Sequence, residues 1–185
     1  IIDNNVDLDS GTLDIYMTNT AGCSSCDDNS FDNKIGCEVS GNNTAGGTWT
    51  FDASINEATC EASTTNGAYF DGEVGGFQFE LSGITITAAS SPTVLIVSTG
   101  VTTNPDNVGT ALLLGFSLTA ETIPAGSDVL LTQITFTDFN NSNICFGKDE
   151  GSDGYNVISD GAGGYIAADW GSCDCSSASP ADCAG

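Results

Sequence analysis

Gly75-Gly76-Phe77-Gln78-Phe79-Glu80-Leu81 is the stretch on which the fold turns. After two glycines, large apolar and polar residues alternate, which is the period of a strand with one buried face. Phe77, Phe79 and Leu81 are expected inward, Gln78 and Glu80 outward. The same grammar extends on both sides. In Thr12 to Thr18, Leu13, Ile15 and Met17 share one face. Further strands are expected at 84–88, 93–98, 110–119, 128–137, 143–146, 156–159 and 164–169, broken by Gly, Asn, Asp, Ser and Pro. Glu, Lys and Met are scarce, Arg is absent, and no segment sustains an apolar period of 3.6. The reading is an all-β sandwich, with Phe77, Phe79, Leu81, Leu114, Phe116, Leu118, Ile134 and Phe136 lining one core.

The regular pattern is interrupted once. Residues 19–73 carry Cys23, Cys26, Cys37 and Cys60 among small polar residues, and only Gly47 to Asp52, around Trp49 and Phe51, reads as a strand. The organisation expected is an N-terminal arm at 1–11, a sandwich at 12–18 and 74–170, a Cys-rich insertion at 19–73, and a disulfide-tied tail at 171–185.

Several blocks resemble cohesin-like domains of secreted and surface proteins. They are Thr12-Leu13-Asp14-Ile15-Tyr16-Met17-Thr18-Asn19, Val74-Gly75-Gly76-Phe77-Gln78-Phe79-Glu80-Leu81-Ser82-Gly83, Leu114-Gly115-Phe116-Ser117-Leu118, Ile123-Pro124-Ala125-Gly126, and Val129-Leu130-Leu131-Thr132-Gln133-Ile134-Thr135-Phe136. The resemblance covers 12–18 and 74–137, less than half the chain. It implies a nine-stranded jelly-roll β-sandwich, a fold that also serves adhesins, carbohydrate-binding modules and surface fibres. The cysteine-rich insertion and Cys173-Asp174-Cys175 depart from that family, so the resemblance speaks to fold more than to dockerin binding.

Charge excludes whole classes of function. Among 185 residues, 25 are acidic and two are basic, Lys34 and Lys148, for a net charge of −23, and there is no His. Such a chain cannot neutralise nucleic-acid phosphates or dock on an anionic membrane, so no nucleic acid and no membrane insertion are expected. It has no Ser-His-Asp triad, Cys-His dyad or His-ligated metal. Its apolar runs are too short to span a bilayer. Eight cysteines in this composition point to an oxidising compartment, and a start at Ile1-Ile2 suits a mature secreted chain.

Each candidate motif has a plainer competitor. Cys23-Ser24-Ser25-Cys26 with Cys37 and Cys60 could form a four-thiolate zinc site. Two disulfides within the insertion are favoured, with three connectivities open. Cys145 with Cys173 and Cys175 with Cys183 are the pairs favoured later in the chain. Asp9-Ser10-Gly11-Thr12 contains the string used by aspartic proteases, but no second copy supplies the facing aspartate, and a polar turn explains it. Trp49 and Trp170 could stack on a sugar or pack in a core. Lys34 and Lys148 could enter isopeptide bonds, although a solvent-facing lysine is the simpler reading.

Asp149, Asp153 and Asp160 stand at positions 1, 5 and 12 of a loop with Gly154 at position 6, spacing that suits a loose calcium site. Position 3, Gly151, and position 9, Val157, lack the oxygen an EF-hand needs. Asp3 to Asp9 and Asp27 to Asp32 are further acid-rich turns. No motif requires a cofactor; calcium is the one candidate. Asn42 and Asn140 open N-glycosylation acceptor patterns.

No catalytic constellation emerges. The chain reads as a non-enzymatic extracellular or cell-surface structural protein, a subunit of a filament, sheath or layer, partnered by copies of itself. Ile1, Ile2, Val6 and Leu8 of the arm are the expected assembly residues, adding a strand to a neighbour's sheet. The alternative is an adhesion module for a carbohydrate or a dockerin-type partner.

Overall fold

The computed structural model describes residues 2–62, 64–101, 111–139, 143–148 and 155–173. In chain order the elements are β1 (Ile2–Asp7), β2 (Thr12–Met17), β3 (Gly22–Cys26), α1 (Lys34–Thr44), β4 (Trp49–Asp52), α2 (Glu57–Cys60), β5 (Ala68–Phe70), β6 (Gly76–Ser82), β7 (Thr85–Ser90), β8 (Ile96–Val101), β9 (Ala111–Phe116), β10 (Val129–Thr137), β11 (Cys145–Phe146), β12 (Val157–Ser159) and β13 (Tyr165–Ile166). They fall into two compact units. The first comprises Ile1–Thr18, Val74–Ile123 and Ser127–Gly185; the second comprises Asn19–Glu73 with Pro124–Gly126.

The first unit is a β-sandwich of two antiparallel sheets. One runs β1-β2-β10-β7; the other runs β13-β12-β6-β9-β8, with β11 also paired to β6. Leu13, Ile15 and Met17 of β2 are buried, as are Leu131, Ile134 and Phe136 of β10. In β10 the buried residues change parity, because a bulge between Leu130 and Thr132 breaks the register with β2. Thr132 is thereby buried beside Leu131, and its hydroxyl donates to the Ser90 carbonyl at 3.0 Å. In the other sheet Phe77, Phe79 and Leu81 are buried. The Phe77 and Phe79 rings stack at 5.4 Å, and Trp170 lies against Phe79 and Phe146 at 6.0 and 5.4 Å. Trp170 is therefore a packing residue.

Three expectations need correction here. Glu80 lies on the face opposite Phe79 and Leu81, as expected, but is buried there rather than exposed, because the chain at Gly147 lies against it: Gly147 N–H donates to the Glu80 carbonyl at 3.0 Å. Strand β9 has the opposite register from the one expected. Ala111, Leu113 and Gly115 face inward, while Leu114 is 40 % and Leu118 78 % exposed. Ala-Leu-Leu-Leu-Gly-Phe is apolar at both parities, so alternation cannot choose a face. Packing chooses instead, since a β-carbon at position 115 would overlap the Phe77 ring and only glycine fits.

The third correction concerns the N-terminus. Ile2–Asp7 is not a detached arm. It pairs antiparallel with β2 along its whole length, from Ile2 opposite Met17 to Asp7 opposite Thr12. The turn between them explains the pairing. Asp7 Oδ1 accepts from the Asp9 and Ser10 N–H groups, and Gly11 takes φ +65°, a backbone conformation open to glycine. Asp9-Ser10-Gly11 therefore lies in the turn of a β-hairpin, and Thr12 opens β2.

The second unit is built on disulfides. Its sheet runs β4-β3-β5. Cys23 is bonded to Cys60 and Cys26 to Cys37, all four buried, and a glycine covers each pair. A β-carbon on Gly67 would lie 2.7 Å from Cys23 Sγ, and one on Gly47 would lie 2.9 Å from both Cys26 Sγ and Cys37 Sγ. The cystines thus occupy the place an aliphatic core would hold. Only one strand was expected in this unit, yet it also carries β3, β5, α1 and α2. Asn33 caps α1, its side chain accepting from Gly36 N–H at 2.8 Å. Gly36, Gly41 and Asn42 are poor helix formers, and the described residues the helix buries are Cys37 and Gly41, so no apolar period announces it. Asn19 draws Pro124–Gly126 into this unit, its Nδ2 donating to the Gly72 and Pro124 carbonyls at 2.6 and 3.0 Å.

Candidate functional site

The first unit carries a groove of about 580 Å³. It opens where β6 begins and where β9 and β12 end, and is lined by residues 75–78, 114–118, 120–121, 157 and 159–163. Gly75 is held tightly there: a β-carbon would lie 2.8 Å from the Gly161 Cα. Glycines on several sides let the backbone form the walls. Leu114 and Leu118 supply exposed apolar surface. Gln78, Glu121 and Asp160 supply the polar groups, each fixed by a local bond. Gln78 Nε2 donates to the Tyr155 carbonyl at 3.2 Å, and Glu121 Oε2 accepts from the Thr119 hydroxyl at 2.7 Å. Asp160 Oδ1 accepts from the Ala162 and Gly164 N–H groups, each at 2.8 Å. No basic residue lines the groove. Two carboxylates and an amide beside an apolar wall can accept hydrogen bonds from an uncharged, hydroxyl-bearing ligand.

Of the proposed calcium set, Asp160 lies in this turn; Asp149 and Asp153 lie outside the described residues. Cys145 and Cys173 are bonded to each other. Cys175, Cys183 and Asn140 also lie outside the described residues. Ile2, Val6 and Leu8 belong to the β1–β2 hairpin, with Leu8 exposed at its tip. Ile1 lies outside the described residues. Lys34 opens α1 and Lys148 is exposed.

The second unit gathers acids at one turn. Asp27 accepts from Thr48 N–H at 2.9 Å and from the Asn42 side chain at 3.2 Å. Asp28 accepts from Asn42 N–H at 2.9 Å and Ser30 N–H at 3.1 Å. These donors favour the charged form, so both carboxyls titrate below the ordinary value of 3.8, Asp27 chiefly through Thr48 and Asp28 chiefly through Asn42. The turn is tied together by its own N–H groups. Asn42, the glycosylation candidate, already spends its side-chain nitrogen on Asp27. Cys26 and Cys37 lie beside Asp27 with metal-like spacing, but their sulfurs are bonded to each other, and Cys23 is bonded to Cys60. The zinc arrangement considered from sequence is therefore not formed.

No family model, curated protein or solved structure matches this chain. The case for function rests on its own surfaces. Three disulfides are consistent with an oxidising environment. Among the described residues no helix is long and apolar enough to cross a membrane. The groove went unseen in the sequence because Leu114 and Leu118 were assigned to the core. The signal that could have found it is the run of apolar residues at both parities of β9.

Proposed function

We propose that this chain is a non-enzymatic extracellular structural protein, a subunit of a surface filament, sheath or layer made of copies of itself. The observation that carries the reading is apolar exposure in a chain of net charge −23. Val94, Ile96, Leu114 and Leu118 of the sandwich unit are 45, 49, 40 and 78 % exposed. Ile96 pairs with Phe116, and Ser98 with Leu114, so Ile96 and Leu114 stand on adjacent strands. Large apolar side chains kept in water on adjacent strands of an otherwise acidic molecule, as Ile96 and Leu114 are, mark a contact surface. The disulfide-stapled second unit and the cystine joining Cys145 to Cys173 fit a protein that must persist outside the cell.

The test is sedimentation and negative-stain microscopy of the oxidised full chain at near-physiological salt, with calcium and with a chelator. Concentration-dependent assemblies support the reading; monomers at every concentration oppose it. Assemblies that persist equally with the chelator would confine the acidic turns to a solvation role.

A second reading is favoured by the groove. Gln78, Glu121 and Asp160 beside Leu114 and Leu118 would suit an adhesion module for a carbohydrate or a dockerin-type partner. A glycan array read with wild type and Asp160→Ala separates it from the first.

A further inference from the structure

We infer that the outer edge of β8 is the surface through which one copy binds a second copy, by strand pairing that continues the six-stranded sheet across the contact. This rests on the self-assembly reading and names its surface.

Three observations converge. First, β8 is the terminal strand of its sheet, paired to β9 on one side and to no strand on the other among the described residues. Second, four of its residues are open to solvent. Ile96, Ser98, Thr99 and Gly100 are exposed, and a β-carbon built on Gly100 meets nothing within 4 Å. Third, it is uncharged, as is nearly everything around it in sequence. From Leu81 to Ala120 the only charged residue is Asp106. Natural edge strands are normally guarded by charge, proline or a bulge. The regular register of β8 with β9 has no bulge, and the strand has no proline.

Charge also selects the occupant. A basic partner would be drawn to the acidic faces, not to this edge. Copies of a −23 chain repel each other elsewhere, and with screening over about 8 Å they can touch only where local charge is missing. Three other edges of the sandwich fit less well. β1 carries Asp3 and Asp7, and β13 has two residues. The exposed residues of β7 are Thr85, Thr87, Ala88 and Ser90, with no large apolar side chain among them. Beside β8, Ile96 and Leu114 add apolar contact to the backbone bonds of strand addition.

The experiment is sedimentation equilibrium of the oxidised full chain at near-physiological salt. Wild type is compared with Ser98→Glu and Thr99→Glu, which put an acid on either face of β8, and with Asn5→Glu on β1 as control. Thermal melts check that each variant is folded. The expected result is that at least one β8 variant weakens association by about tenfold or more, since like charges facing across a contact cost well over the 1.4 kcal/mol of one decade, while Asn5→Glu associates as wild type. If wild type associates and both β8 variants, folded, do so equally, the β8 assignment is wrong and the self-assembly reading stands. If wild type is monomeric throughout, both fail. Association lost only in Asn5→Glu would move the contact to β1 and overturn the assignment.

Discussion

Replacing Gly115 with alanine tests the register of β9, on which the exposed Leu114 and Leu118 depend. A β-carbon at 115 would sit on the Phe77 ring, with Cδ1 at 2.6 Å and Cε1 and Cζ nearer still. Carbon atoms need about 3.5 Å, so ring or strand must shift by about 1 Å. Phe77 is 2 % exposed and stacked on the fully buried Phe79, so the ring has nowhere to retreat. Overpacking of this kind costs about 1–3 kcal/mol, and the upper end applies to so short a contact. Removing a glycine from a strand returns about 0.5–1 kcal/mol. The net expected loss is about 2 kcal/mol. With a urea slope of about 2 kcal/mol/M, the unfolding midpoint of the oxidised protein should fall by about 1 M. In a Phe77→Leu background the same change should cost at least about 1 kcal/mol less, because the two nearest atoms in conflict, Cε1 and Cζ, are gone. A Gly115→Ala protein within about 0.5 kcal/mol of wild type, or costs that simply add in the double variant, would refute the register.

Asn156→Ala should destabilise the sandwich by about 2–4 kcal/mol in the same assay, since it strips partners from the Glu80 N–H and the Gly147 carbonyl inside a buried site. Replacing both Cys26 and Cys37 with serine opens a loop closed across 11 residues. It should cost about 3 kcal/mol and release α1 to limited proteolysis. Acid should loosen the second unit at its Asp27–Asp28 turn. Because both folded values are depressed, their contribution is complete above 3.8 and is lost as pH falls through the lower folded values. Near-ultraviolet circular dichroism from about pH 5 to about pH 2 should show that transition flattened in Asp27→Asn.

The sandwich was legible wherever one face of a strand is apolar and the other polar. Phe77, Phe79 and Leu81 could be assigned inward from the sequence, as could Leu13, Ile15 and Met17. The reading failed where that contrast disappears. In Ala111–Phe116 both faces are apolar, and a ring on a neighbouring strand makes the choice. In Ile2–Asp7 the polar Asp3, Asn4 and Asn5 hid an edge strand that adds little to the core and is held by backbone pairing and a turn. In the second unit the buried material is cystine, whose partners sequence spacing cannot name. The groove follows from the β9 register, so it was hidden for the same reason.

The most direct test of the central claim is the molecular mass of the oxidised chain across a concentration series at near-physiological salt, followed by sedimentation. The account predicts a weight-average mass that climbs with concentration above the 18.8 kDa of one chain, and a climb suppressed by an acid placed on β8. A mass that stays at one chain throughout, in calcium or in chelator, would contradict it.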